Sequence, residues 1–460
     1  MIKKNFIFIF SIILTIVIST YLWRFIKFPY QENGIIGNYS SNQYNAINDI
    51  FRYIIFLSLP TIVYLFFKIS YEKKKIIDIL NYENDSTNCF FKNEKSLIFL
   101  FIFFILLIFL DFLSFDLPVH KMDTYHEGQR LSSAYKYFLD GSLWSGSYVT
   151  VGIFYETLSS SFVWKIFGIV SVGLARFAEI FYILILKLSL IVFLLIFTRF
   201  LKIELLYKNI FFTFNSIVFL FLSDYHINSV DLITFREIPI LLLSILFMLF
   251  LLNKKLQNYI LIIISSLSIL TMLWAIDRGL ILNLLIFSIC IYLIIIKEFI
   301  KLATLVLSLI FFWFLFYLIA GDEFSHFISN TVSIYKEMNY IHGIIHPIPF
   351  SDDPNSYRAT KTIFLILFCF LFSISLFFKI DRKYSIKFKI ALFFLALVCV
   401  GSYIYALGRS DGPHIKHTFG YPIIFFSITT SYLIIHYFSN IKIKISKFLN
   451  FFLLLFLSFL

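Results

Sequence analysis

Between Asp116 and Gly168 a chain otherwise built of Phe, Leu and Ile turns polar, and four of its side chains there fall at helical spacing. Asp123, His126, Glu127 and Arg130 stand at i, i+3, i+4 and i+7, so a helix would project two carboxylates, an imidazole and a guanidinium from one face. A carboxylate beside an apolar wall resists ionisation through desolvation, and a neighbouring Arg or His favours it again. That balance is how a general base is tuned towards neutral pH. Asp123, Glu127 and His126 are the catalytic candidates on this reading; the alternative is a solvated amphipathic helix lying on a membrane. Asp123 and Glu127 together could hold a divalent ion, although no metal ligand set is assigned and no cofactor is certain.

Two later turns carry related chemistry. Ala275-Ile276-Asp277-Arg278-Gly279 wedges an acid and an arginine between two apolar runs, where the pair could neutralise itself or Arg278 could face an anionic headgroup. The run Gly408-Arg409-Ser410-Asp411-Gly412-Pro413-His414-Ile415-Lys416-His417 packs two cations and two histidines into one turn. Arg409 offers a fork for two phosphate oxygens, whereas a plain turn would need only the Gly and Pro. Arg130, Asp277, Arg278, Arg409, Asp411, His414 and Lys416 are thus candidates for holding a phosphate. Arg236-Glu237 reads more simply as charge flanking a membrane helix. His342 and His346 lack the intervening Glu of a zinc HExxH site, and no Walker or glycine-rich dinucleotide loop appears, so nucleotide chemistry has no visible site.

The elements that must position these residues are membrane helices. The 460 residues are 60% hydrophobic and only 14% charged, with a mean hydropathy of +0.88, far from the composition of a soluble domain. The net charge of +12 resides in short lysine clusters at the ends of apolar runs, where it works as a topology signal; nucleic-acid binding is excluded on that ground. Cys89, Cys290, Cys369 and Cys399 show no paired spacing and predict neither disulfides nor a zinc site.

The fold expected is an all-α polytopic membrane protein with about 12 or 13 spans. It divides into residues 1–95, holding two N-terminal helices and a basic linker, and a core over 96–460. The first apolar run follows a basic start and reads as an uncleaved anchor; the second lies near Ile50 to Phe67 and the third near Ser96 to Phe115. Nine more spans are expected from Val172 to Phe438, and Phe448 to Leu460 is short for a crossing. The basic stretches Lys68 to Lys95, Arg199 to Lys208, Lys254-Lys255, Lys297 to Lys301, Lys379 to Lys389 and Lys442 to Lys447 are then cytoplasmic. The loops 116–171, 224–237, 277–278, 321–361 and 408–417 lie outside. This parity requires the apolar patch Leu158 to Ile169 to lie in the interface without crossing, anchored by Trp144 and Trp164. Acids and arginines in mid-span are sparse, which argues against an ion-coupled transporter.

Asp123-x-x-His126-Glu127-Gly128, followed by Ala134, Gly141, Tyr148, Gly152, Phe167-Gly168 and Arg176, resembles the first outer loop of bacterial membrane glycosyltransferases of the GT-C superfamily. The turns at Trp274 to Gly279 and Leu407 to Asp411 look like later outer loops of that group, so the resemblance covers most of the chain from about Ser96. It implies a multi-span, inverting enzyme of the bacterial cytoplasmic membrane whose site faces outward. A loop carboxylate, here Asp123 with Glu127 as second candidate, would be the base, and the donor a sugar on a polyprenyl phosphate. The acceptor would be a hydroxyl of a glycan, lipid or protein, with membrane lipids as further partners. Two extra spans precede the loop, and the acids are not the adjacent Asp-Glu or Asp-x-Asp form of that group. Nucleotide sugars do not cross membranes unaided, so a lipid-tethered donor suits an outer site, with Arg278, Arg409 and Lys416, or else Arg130, stabilising the leaving phosphate. A flippase for lipid-linked glycans would bind the headgroup with the same cations and do no chemistry, whereas a polymerase or ligase would share the donor chemistry and centre on His326, His342, His346 and Arg358 of the loop 321–361.

Overall fold

The computed structural model describes residues 2–72, 94–114, 124, 126–223, 231–353, 355–378 and 385–441. Among them there is no strand, and eleven helices are long and apolar enough to cross a membrane. The expected all-α polytopic architecture is what the chain adopts. A twelfth apolar helix, Leu205–Leu220, has 16 residues, about 24 Å at 1.5 Å per residue, and falls short of that length. The terminal run 448–460 lies outside the described residues.

The helices used below are α1 (Ile2–Phe25), α2 (Ile47–Glu72), α3 (Lys95–Leu113), α4 (His126–Asp140), α5 (Ser159–Phe167), α6 (Val172–Thr198), α7 (Leu205–Leu220), α8 (Ile238–Leu252), α9 (Gln257–Trp274), α10 (Ile276–Ile295), α11 (Phe299–Ala320), α12 (Glu323–His342), α13 (Ser356–Phe378), α14 (Ile386–Ser402) and α15 (Gly420–Ile441). In lipid every backbone polar group must bond within its own segment, which is why uninterrupted runs of Leu, Ile and Phe become helices here. Pro239 enters α8 in its first turn, where a missing N–H costs nothing.

The core is built around α6, buried along most of its length and packed against α3, α5, α7 and α8. Polar side chains fix helix pairs where lipid offers no competing partner. Asn215 on α7 donates to Ser431 on α15 at 2.9 Å and accepts from Ser427 at 2.7 Å. Ser268 on α9 donates to Asn283 on α10 at 2.6 Å and accepts from the Trp313 indole on α11 at 2.9 Å. By contrast α11 buries only Leu305 and presents a nearly continuous apolar surface outward.

The two ends of α6 have different neighbours. At its C-terminal end Arg199 lies 3.3 Å from Glu94, which also takes Lys208 at 2.8 Å. At its N-terminal end lie Arg176 and Glu179 and the polar segments described below. Between Asp140 and Val172 the π-helical turn Phe154–Leu158 runs on into α5, and together they reach only about 21 Å at 1.5 Å per residue, short of a hydrocarbon thickness of about 30 Å. Gly168, at φ +66°, ends α5 in the left-handed conformation, and the Trp164 indole donates to the Ser171 carbonyl at 2.7 Å. Trp164 is thereby buried against Ala134 and Ala175, and does not stand free as an interfacial anchor.

Candidate functional site

Segments far apart in the chain meet at the N-terminal end of α6. The strand-like stretch after Tyr148 lies across the break between α9 and α10: Val151 accepts from the Ile276 amide at 2.6 Å. A Cβ on Gly152 would collide with the Trp274 carbonyl, so this close approach requires glycine. Asn330 of α12 grips the Val149 backbone from the other side, accepting from its amide at 3.0 Å and donating to its carbonyl at 2.8 Å. Tyr335, one helical turn and a half further on, donates to the Ile276 carbonyl at 2.8 Å. The long segment after α11 is therefore a docked helix, α12, roofing the α9–α10 break.

Beneath this cover runs a tier of arginines, acids and tyrosines. Arg176 on α6 holds both oxygens of Glu127 with its Nε and Nη2, at 2.7 and 2.8 Å. Arg130, one turn along α4, pairs through Nη1 with Glu179, which also accepts the Tyr155 hydroxyl at 2.7 Å. Tyr155 lies in a π-helical turn, Phe154–Leu158, with its ring 5.7 Å from the Arg130 guanidinium carbon and 5.8 Å from that of Arg236. Burial first, then Glu179, raises the Tyr155 hydroxyl above the usual phenol range, so it acts as a donor. The neighbouring Glu156 is buried too. It accepts from the Thr150 amide at 2.7 Å, the Thr150 hydroxyl at 2.6 Å and Gln129 at 2.9 Å, yet burial still leaves its carboxyl above the ordinary value.

The tier continues onto α10. Asp277 and Arg278 do not form the expected loop but the first turn of the helix, broken from α9 only at the extended Ala275. Arg278 bonds Asp277 at 2.6 Å and Glu237 through Nε, and lies 4.3 Å over the Tyr405 ring. Tyr405 in turn sits 5.0 Å from the His414 ring. Asp411 caps the short helix Gly412–His417, accepting the His414 amide at 2.9 Å and meeting its ring Nδ1 at 2.5 Å, while Arg409 Nε approaches at 3.1 Å. Burial raises the Asp411 carboxyl, but the His414 hydrogen bonds and Arg409 outweigh it and hold the group below the ordinary value. His417 bonds the Asp231 carbonyl at 2.6 Å, closing the ring of segments.

Most of the expected residues thus fall in one neighbourhood, in roles that differ. Asp123 lies outside the described residues; His126 begins α4, and its side chain is likewise outside them. Glu127 is buried with both oxygens engaged by Arg176, which accounts for its burial without a metal or a free base function. Among the described residues no three or more His, Cys, Asp or Glu are grouped to hold a metal ion. Arg278 is engaged by two carboxylates, whereas Arg409 is 37% exposed and Lys416 is exposed. His346 joins the N-terminal helices to the core instead of this site. It is buried, its Nδ1 at 2.8 Å from the Pro347 carbonyl and its Nε2 at 2.7 Å from the Tyr403 hydroxyl.

Arg236-Glu237 is more than the flank of a helix. Glu237 is buried under Arg278, and Arg236 is half-buried within electrostatic reach of Tyr155, Asp277, Arg278 and Tyr405. The signal that could have found it is the recurrence of one arginine beside one acid at 236–237, 277–278 and 409–411. Compared with protein-family models, curated proteins and solved structures, the chain has no match in any of the three.

Proposed function

We propose that this chain is an integral-membrane glycosyltransferase that moves a sugar from a polyprenyl phosphate to an acceptor hydroxyl on the extracytoplasmic face of a bacterial cytoplasmic membrane. The observation that carries the reading is the convergence of α4, the π-helical turn, the Arg236 turn, the α10 N-terminus and the Arg409 to His417 turn. They meet at one end of an apolar bundle around arginines and tyrosines. Lysine-rich turns belong to the cytoplasm by the positive-inside rule, which assigns the arginine-rich end to the outside.

In such a transfer the acceptor oxygen attacks the anomeric carbon, the carbon–oxygen bond to phosphate breaks, and the lipid phosphate leaves with the electron pair. The acceptor proton passes to a carboxylate. Asp123 remains the expected base on the resemblance. Asp277, whose side chain is 32% exposed and braced by Arg278, is the acid of the described tier best placed to help. Arg409, Lys416 and His414 suit the phosphate, since guanidinium and ammonium groups stabilise charge that develops on it. A buried tier of fixed dipoles and charges also needs no reorganisation as that charge appears.

The test supplies labelled polyprenyl-phosphate sugar and a cell-envelope acceptor extract to proteoliposomes. Transfer with release of polyprenyl phosphate supports the reading, and Asp123→Asn is expected to slow it by about 100-fold or more. Unchanged transfer in both Asp123→Asn and Arg409→Ala would overturn the residue roles. Labelled lipid crossing the bilayer with no polyprenyl phosphate released would mark a flippase instead.

A further inference from the structure

We infer that Arg130 and Arg236, placed about the Tyr155 ring, form a binding site for a phosphate-type oxyanion. The inference deepens the transferase reading and rests on it for the identity of the ligand, a lipid phosphate. It adds to the phosphate contacts of Arg409, His414 and Lys416 an arginine, Arg236, that does not present itself as functional in the sequence, and leaves Arg278 out.

The guanidinium groups of the tier are used differently. Arg176 fills the fork formed by its Nε and Nη2 with the Glu127 carboxylate. Arg278 spends its Nε on Glu237 and its Nη1 on Asp277. Arg130 is 2% exposed and pairs with Glu179 through Nη1 alone. Its Nε and Nη2, the same edge that Arg176 uses, are buried and meet no hydrogen-bond acceptor among the described residues. Burying guanidinium donors without acceptors is costly, and a side-on fork fits two oxygens of a carboxylate or phosphate. That edge suits an oxyanion that no described residue provides.

Arg236 supplies the second contact. Among the described residues it makes no ion pair; it approaches the Tyr155 ring, feels Asp277 only at a distance while Arg278 holds that acid directly, and is half-buried, so its donors are accessible. Both guanidinium carbons lie within 5.8 Å of one ring centroid, so the two arginines neighbour the same aromatic ring. Tyr155 holds that spacing because its hydroxyl is tied to Glu179 and its ring packs on Phe235 at 4.8 Å. Arginine at two points recognises a phosphate's several oxygens better than a single ammonium would.

The experiment measures binding to the purified full-length protein by calorimetry and thermal shift, with farnesyl phosphate, farnesol and inorganic phosphate as probes. Farnesyl phosphate is expected to bind and stabilise, and farnesol is expected not to. Arg236→Gln should retain the fold, since no partner is stranded, and weaken farnesyl phosphate binding by about tenfold or more. Arg130→Lys keeps the charge facing Glu179 but loses the fork, and should weaken binding comparably. Competition by inorganic phosphate at equal affinity supports the oxyanion site and assigns it to the free ion; tighter binding of farnesyl phosphate assigns it to a lipid. Wild-type affinity in both variants, or no binding of either phosphate, overturns the site. Binding that depends on Arg236 without sugar transfer leaves the site standing and removes the transferase reading. Transfer with wild-type KM in both variants does the reverse.

Discussion

Arg176 takes both carboxylate oxygens of Glu127 across 49 residues of sequence, at 2.7 and 2.8 Å, and both side chains are buried. This fork pins α4 to the first turn of α6 and so sets where Arg130, the next residue inward on the same face, meets Glu179. Removing one partner of a buried pair leaves the other charge poorly compensated, which typically costs up to about 3 to 5 kcal/mol. Glu127→Ala and Arg176→Ala are each expected to lower stability on that scale in thermal unfolding of the purified protein. The double variant Glu127→Ala with Arg176→Ala should lose clearly less than the sum of the singles. Additive losses would show that the two side chains act independently.

The glycines of the polar segment separate packing from chemistry. A Cβ at Gly152 would strike the Trp274 carbonyl and the Ala275 amide, so Gly152→Ala must shift the stretch that roofs the α9–α10 break. The expected loss is about 1 to 3 kcal/mol, with a change in tryptophan fluorescence. Gly128, inside α4, has nothing within 4 Å of its missing Cβ. Alanine there should stabilise the helix by about 0.5 to 1 kcal/mol. A Gly128→Ala protein that is more stable yet less active would give the glycine a role at the site; a less stable one would contradict the open surroundings.

The spans were legible because an uninterrupted apolar run of 18 or more residues has one low-energy form in lipid, and α3 and α11 begin and end close to where the charges stop. The polar termini were harder. Asp277 and Arg278 read as a loop because charge normally marks the end of a span, yet Glu237, 41 residues earlier, neutralises Arg278 and lets the helix begin at Ile276. The same hidden pairing disguises Arg236, whose neighbours on other helices make it part of a site and not a mere flank. Spacing along one helix predicted that Glu127 and Arg130 share a face; it carried no information that Arg176 and Glu179 would meet them there.

His346 gives the N-terminal junction a pH dependence. Burial, outweighing the Pro347 hydrogen bond that favours the proton, pushes its pKa down to about 4 from 6.5. Its backbone amide donates to Asp49 at 3.1 Å, and Asp49 also receives Tyr44 at 2.5 Å and Arg52 at 3.3 Å, so the imidazole sits where α2 joins the core. The unfolded chain protonates this histidine near pH 6.5, whereas the folded chain does not until about pH 4. Its stabilising contribution is therefore fully present above 6.5 and is lost as pH falls through that window. The apparent melting temperature should drop between pH 7 and 4.5, and His346→Gln should melt lower at pH 7 but with a flatter profile. An equally steep profile in the variant would place the acid sensitivity elsewhere.

Arg278 and Arg409 both stand beside an aspartate, yet their surroundings predict opposite outcomes for the same substitution. Arg278 is 2% exposed and compensates Glu237, which is buried with no other ion pair among the described residues, and its guanidinium also covers Tyr405. Arg278→Ala should therefore cost about 3 to 5 kcal/mol and remove activity through lost structure. Arg409 is 37% exposed and its partner Asp411 keeps the His414 amide and ring as hydrogen-bond partners. A partly exposed pair whose acid keeps other hydrogen-bond partners is worth about 1 kcal/mol, so Arg409→Ala should melt within a few degrees of the unsubstituted protein. Whatever sugar transfer it then loses reports on phosphate handling and not on folding. Measuring melting temperature and transfer rate on the same preparations separates the two arginines. A strongly destabilised Arg409→Ala protein would show that the Arg409 to His417 turn is a structural clasp for the bundle.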